Sequence, residues 1–166
     1  MSAQPTLNAQ LAGVTALVVG GASGIGRAAV AGYRAAGARV TALDRSTAGC
    51  AALVRELPGV RAVVGDATAP DAVEEALRAA ESDGSPLTQL THCVGIHDRY
   101  TVPWDLDADA LRAGFGELFA VNVLSVVIAV RACVGSLRAS GGSITLTLSE
   151  SAFAPLGGGP LYAASK

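Results

Sequence analysis

The stretch that decides the fold is GGASGIGR, Gly20 to Arg27. Its glycines at 20, 24 and 26 follow the spacing G-x-x-x-G-x-G, a variant of the dinucleotide fingerprint. Without Cβ atoms the backbone can turn tightly and approach a pyrophosphate, whose charge then meets free N–H groups at a helix N-terminus. Position sharpens the reading. The apolar run Val14–Gly20 precedes the turn, and a helix-like stretch, Ile25–Ala36, leads away from it. Ser23 and Ile25 fill the turn between the glycines. Asp44, eighteen residues after Gly26, ends the second apolar run. An acid there accepts hydrogen bonds from ribose hydroxyls and repels a 2′-phosphate, so NAD is the expected cofactor. Arg45 beside it is the one feature that would suit NADP. Asp66 and Ala67, in VVGDAT after the third run, stand where a carboxylate could reach an adenine amino group, or could equally cap a helix.

Outward from this turn, two kinds of segment alternate. Short β-rich runs occur at Val14–Gly20, Arg39–Asp44, Val60–Gly65, Leu90–Gly95 and Ser143–Ser149. Between them lie stretches rich in Ala, Leu, Arg and Glu at Ile25–Ala36, Thr47–Leu57, Pro70–Glu81 and Leu106–Ala139. Continuous apolar strands imply a sheet covered on both faces, hence parallel strands with helical crossovers. Gly37, Pro58-Gly59, Ala69-Pro70-Asp71 and Gly141-Gly142 punctuate the segments. Asp107 or Asp109 is the expected cap of the long helix, and Gly114 and Gly116 are expected to bend its first turns. Right-handed crossovers give a doubly wound α/β sheet of five strands, in the order 3-2-1-4-5 if it binds a dinucleotide.

Bulk properties narrow the function. At 166 residues, 51% hydrophobic and 16% charged, the chain suits one domain and excludes a disordered polyelectrolyte. A net charge of -2 gives no reason to expect a nucleic-acid partner. The longest apolar run, near Val121–Val130, is broken by Asn122 and Ser125, so no membrane span is expected. The first ten residues have neither the basic start nor the apolar centre of a secretory signal. Cys50, Cys93 and Cys133 are widely spaced and form no CxxC, which points to a reduced cytoplasm and no metal.

The chain ends on GGGPLYAASK, where Tyr162 and Lys166 are four apart and share a helix face. A phenol ionises near pH 10 in water, so acid–base work near neutrality asks for roughly 4 kcal/mol of help. An ammonium one turn away, and a bound nicotinamide cation, would supply it. Ser149, at the end of the neighbouring strand, is a hydroxyl able to hold a substrate oxygen. Asn122 stands in the apolar helix where packing would prefer Leu, and could bond backbone or an ordered water leading towards Lys166.

In this order and spacing, Gly20–Gly26, Asp44, Asn122 in AVNV, Ser149, Tyr162 and Lys166 resemble the short-chain dehydrogenase/reductases, from about Val14 to the last residue. The resemblance implies a Rossmann-type fold with Tyr162 as catalytic acid/base. It implies that Lys166 binds the nicotinamide ribose and favours the phenolate, that Ser149 orients substrate, and that Asn122 supports a proton relay. CVGIHDR at Cys93–Arg99, ELFAVNVLS at Glu117–Ser125, RACVGSLRASGGSITLTLS at Arg131–Ser149 and the final ten residues look like the bacterial cis-dihydrodiol dehydrogenases. That implies oxidation of a cyclohexadiene cis-diol to a catechol with hydride passing to NAD, in a cytoplasmic homo-oligomer. A relative acting on another alcohol or ketone, or a nonenzymatic dinucleotide-binding remnant, are the alternatives.

Departures from the family pattern are expected to matter. His92-Cys93-Val94-Gly95 replaces NNAG, which sets Val94 and Gly95 beside the cofactor ribose. His92 reads as a strand residue with a hydrogen-bonded ring, and His97 as a solvated loop histidine. Residues 1–12 read as an N-terminal extension, and 13–166 as a dinucleotide-binding domain lacking the family's last strands. SITLTLS would then be an uncovered apolar edge.

Overall fold

A computed structural model describes residues 10–154 and 158–166. The first nine residues of the expected extension, and Gly157, lie outside the described residues. Leu11 is already docked: its N–H donates to Ala36 O, and it packs against the apolar cluster to which Val30 and Val40 belong.

Five parallel strands form the sheet, β1 (Thr15–Val19), β2 (Arg39–Asp44), β3 (Arg61–Val64), β4 (Gln89–His92) and β5 (Ser143–Leu146). Their order, β3-β2-β1-β4-β5, is the one expected of a doubly wound dinucleotide fold. The crossovers contain α1 (Gly24–Ala35), α2 (Thr47–Glu56), α3 (Pro70–Ala80), α4 (Ala108–Phe119) and α5 (Ser125–Ser140). A sixth helix, α6 (Pro160–Ser165), carries Tyr162. Because strand side chains alternate, TALVV in β1 feeds both faces. Leu17 and Val19 join Val73 and Ala76 of α3 and Cys133 and Leu137 of α5, whereas Val18 meets Val30 of α1 and Leu53 of α2. All five residues of β1 are buried, as the unbroken apolar run requires.

The outer strands differ from that reading. All four residues of β5 are exposed, and Ile144 and Leu146 join Leu148 beyond the strand as exposed apolar side chains. Strands are also shorter than the apolar runs. β4 stops at His92 and β5 at Leu146, so Ser149 lies three residues past its strand and Asp66 two residues past Val64.

Helix boundaries follow local chemistry. Ser46 caps α2 by accepting from Gly49 N, and Asp107, not Asp109, caps α4 by accepting from Asp109 N and Ala110 N. Gly141 ends α5 with φ 65°. Gly114 and Gly116 leave α4 regular, against expectation. The irregularity lies at Ala120–Leu124, a wide π turn in which Ser125 N–H reaches back five residues to Ala120 O. Through this turn Ala108–Ser140 runs as one helix of 33 residues, long and apolar enough by length and composition to cross a bilayer. The expectation that no segment reaches that length is thereby corrected. Asn122 and Ser125 interrupt the apolar run in sequence, but both are buried, in one series with Leu118, Ala129, Cys133 and Leu137. The exposed side carries Val123, Val127 and Val134.

Candidate active site

β1 and β4 are neighbours whose crossovers leave in opposite directions, so a crevice opens past their carboxyl ends. Val19 is level with Leu43 and with His92, which brings the three following loops to one height. The crevice is a cleft of about 440 Å³, within the usual range for a small-molecule site. Gly20, Ser23, Gly24, Ile25, Asp44, Asp66, Ala67, Val94 and Gly95 all line it. Arg45, Cys93, Ile96 and Val121 also line it, whereas Gly26, Tyr162 and Lys166 do not.

The glycine turn is built as its spacing requires. A Cβ on Gly26 would sit 2.0 Å from Gly20 O, so α1 closes onto the turn only without a side chain there. Gly24 has φ 51° and open space where a Cβ would point. Ser23, the N-cap of α1, gives its first turn no side-chain bond, leaving N–H groups for an anion. Asp44 Oδ2 accepts from Ala22 N at 2.9 Å and Oδ1 from Ser46 N at 2.9 Å, tying the turn to β2 with carboxylate lone pairs to spare. Asp66 takes the turn role with Oδ1, which accepts from Thr68 N and Thr68 Oγ1, each at 2.8 Å. These bonds hold its carboxyl below the usual range, against a smaller opposing effect of burial, and Arg45 adds to the lowering. These residues fit a dinucleotide: unspent N–H groups for phosphate, and carboxylates for ribose and base.

Opposite the glycine turn stands Asn122. Its Oδ1 accepts from Ile96 N at 2.8 Å, while Nδ2 donates to Ile96 O at 2.9 Å and to Ser165 Oγ at 2.8 Å. The π turn thus presents one buried amide that clamps the loop after β4 to α6. His92 is buried with Nε2 3.0 Å from Ser125 Oγ, as a hydrogen-bonded strand histidine should be. Burial, and secondarily the Lys166 charge, push its pKa down to about 4.

α6 follows its N-cap Gly159 and packs on α4 and on the short turn Glu150–Ala152. Lys166 Nζ donates to Thr147 O at 3.0 Å and approaches within 3.6 Å of where a Cβ on Gly95 would be. The lysine therefore reaches the cleft wall. Ser149 Oγ is engaged nearby, donating to Ser151 Oγ at 3.1 Å and accepting from Ser151 N at 3.2 Å. His97 is an exposed loop residue, as expected, but it also makes ring contacts that the sequence did not suggest. Its ring lies 4.4 Å from that of Tyr162, centre to centre, tilted by 35°, and 5.0 Å from that of Tyr100. Nor did the sequence single out Asp98, which is buried and accepts from Gly159 N at 2.8 Å and Tyr162 N at 2.9 Å. A carboxylate followed by two aromatic or basic residues in a loop carries no local signal; only the contact across more than sixty residues gives it meaning.

Comparison with known proteins agrees with this geometry. The family model described as short chain dehydrogenase matches residues 14–166. The chain is 38% identical over 158 residues to the cis-2,3-dihydrobiphenyl-2,3-diol dehydrogenase of Paraburkholderia xenovorans (strain LB400), covering 95% of this chain and 57% of that protein. It is 42% identical over 160 residues to the cis-1,2-dihydrobenzene-1,2-diol dehydrogenase of Pseudomonas putida, covering 95% and 58%. The chain thus spans little more than half the length of these relatives. Among solved structures, a short chain dehydrogenase/reductase from Saccharomyces cerevisiae superposes with a TM-score of 0.83 at 22% identity, over 92% of this chain and 60% of the other. The structure of gox2181 gives 0.85 at 26% identity, over 95% and 62%.

Proposed function

For a chain that belongs to the short-chain dehydrogenase family, we propose the oxidation of an aromatic cis-dihydrodiol to a catechol with NAD as hydride acceptor. The substrate class rests on the relatives, which are named for biphenyl and benzene dihydrodiols. The geometric support is the approach of Lys166 Nζ to Gly95, because it joins the tyrosine helix to the wall of the dinucleotide cleft.

In this reading Gly20, Ser23, Gly24, Ile25 and Gly26 cradle the pyrophosphate at the start of α1. Asp44 takes the adenosine ribose, Asp66 and Ala67 border the adenine, and Val94, Gly95, Tyr162 and Lys166 border the nicotinamide ribose. When bound, the dinucleotide supplies the hydride acceptor. Ser149 holds a substrate oxygen, and Tyr162, as phenolate, accepts the proton of the hydroxyl on the carbon that loses hydride. The resulting ketone tautomerises to an aromatic ring, which favours the forward direction. Lys166 brings positive charge to this end of the cleft, and Asn122 locks the loop after β4 against α6. Asp44 supports NAD over NADP, since a 2′-phosphate there would meet a carboxylate. The reading includes a cytoplasmic homo-oligomer, supported by the exposed Val123, Val127 and Val134 on one helix.

The test is the appearance of NADH absorbance when the protein, NAD⁺ and the cis-2,3-dihydrodiol of biphenyl are mixed. Tyr162→Phe should lower the rate at least about a hundredfold, the usual worth of a positioned acid/base, with dinucleotide affinity retained. Equal rates in the two proteins would remove Tyr162 from the chemistry.

A further inference from the structure

The tyrosine helix is short. Six residues, Pro160–Ser165, cannot hold a helix by their own hydrogen bonds, because nucleation costs more than a single turn returns. Its first N–H groups need acceptors, and the N-cap position is Gly159, which has no side chain to offer one. Asp98 supplies them from the loop after β4. One carboxylate oxygen accepts from Gly159 N, the other from Tyr162 N. Those are the N-cap and the third helical residue, the pair that a local capping box would serve. Here the cap comes from 61 and 64 residues away.

Two further observations point the same way. The loop holds Asp98 at a conformational cost: Arg99 and Tyr100 have φ of 53° and 61°, a left-handed pair without glycine. That fold lets Tyr100 N donate to Asp98 Oδ1 at 3.2 Å and Thr101 N to Asp98 O at 3.0 Å. The glycines before α6 are spaced for this partner. A Cβ on Gly159 would lie 2.3 Å from Asp98 Oδ2, and one on Gly158 would lie 2.5 Å from Tyr162 Cδ1 and 3.3 Å from His97 Nε2. The GGP segment is therefore shaped around the His97–Asp98 pair.

We infer that Asp98 is a positioning residue for Tyr162, capping the tyrosine helix from the loop after β4 while the tilted His97 ring packs against the phenol ring. Burial raises the carboxyl's pKa, but the N–H groups of Tyr162, Gly159 and Tyr100, with His97, outweigh it, so the group stays ionised and accepting. Asp98 touches no reacting atom. It fixes where the Tyr162 backbone stands, and so where the phenol points.

The inference about catalysis rests on the reaction proposed above, whereas the capping does not, so two measurements separate them. The first is amide hydrogen exchange of residues 160–166 in the unaltered chain and its variants. Asp98→Ala should speed exchange there about tenfold or more, with the β1, β2 and α3 amides unchanged. Asp98→Asn, which keeps one acceptor oxygen and the volume, should recover part of the protection. Gly159→Ala, which drives the carboxylate away, should reproduce the Asp98→Ala pattern. Equal exchange in all four proteins, or no protection of α6 in the parent, would overturn the cap. The second measurement is turnover of the dihydrodiol. Asp98→Ala should lower kcat about tenfold or more while NAD affinity stays within about twofold, and Asp98→Asn should restore part of kcat. Loss of NAD affinity in step with kcat would overturn the positioning role. If the parent protein turns over no dihydrodiol, the proposed reaction falls and the exchange data alone decide the cap.

Discussion

The two ends of the cleft are built differently. At the glycine end, the residues that matter lie in one strand–turn–helix unit, Thr15 to Ala35, plus Asp44 at the end of the adjoining strand. At the tyrosine end, the side chains are held by bonds across the chain: Asn122 to Ile96 and Ser165, and Asp98 to Gly159 and Tyr162. One end is specified by spacing, the other by the completed fold. The contacts of the glycine turn lie within β1, α1 and β2, whereas those of the tyrosine helix reach the loop after β4 and the π turn.

The largest effect should come from breaking the local end. Gly26→Ala places a methyl group 2.0 Å from Gly20 O, so the turn and helix must separate. Overpacking of this kind costs about 1–3 kcal/mol, and dinucleotide affinity, read by fluorescence titration, should fall at least about a hundredfold, the loss that geometry rather than stability predicts. Binding within a few-fold of the parent would mean that the turn is not the phosphate cradle. Next is Asn122→Leu, which leaves the half-buried Ile96 N–H and C=O without their side-chain partner. Each unmet group costs about 1–3 kcal/mol. Urea denaturation should register this loss, yet dinucleotide affinity should move far less than in Gly26→Ala. A parallel loss of affinity would erase the distinction between the two ends.

The seam between them carries a pH signature. His92 sits on β4 beside the π turn with a pKa of about 4, against about 6.5 in an unfolded chain. Between those values the unfolded state binds a proton that the native state refuses. Stability is therefore fully present above about pH 6.5 and is lost as pH falls through the window, approaching about 3 kcal/mol below pH 4. Urea midpoints at pH 7, 5 and 4 should fall more steeply for the parent than for His92→Asn. Parallel profiles would show that the ring is not held neutral. The smallest effects are the local caps. Ser46→Ala on the glycine side and Asp107→Ala on the tyrosine side should each cost about 1 kcal/mol, equal because both caps are local wherever they stand.

This contrast also explains what the sequence could disclose. The glycine spacing and Asp44 are legible in short-range spacing, and the strand order expected from the alternation of strands and helices is the one the fold has. Family resemblance pointed to Asn122 and Ser149, but not to the amide's three partners or to the distance of Ser149 beyond its strand. Asp98 and the ring contact of His97 with Tyr162 were invisible because a loop residue's partner sixty positions away leaves no periodic trace. The long helix misled for a related reason: Asn122 and Ser125 look like interruptions in a linear run, but on the helix they belong to its buried stripe.

The π turn at Ala120–Leu124 has a consequence for how this chain tolerates changes in length. It absorbs one residue more than a regular α-helical turn would hold, between the helix that meets the tyrosine segment and the helix that roofs the sheet. Losing one residue there would leave a regular α-helical turn with its flanking helices in phase, whereas a further insertion would swing everything after it by about 100°, carrying Ser125, Cys133 and Leu137 away from their seats. Point substitutions on the exposed side of the turn, such as Val123→Ala, should be borne easily, and loss of one residue between Ala120 and Leu124 better than a further insertion there, which should be ruinous.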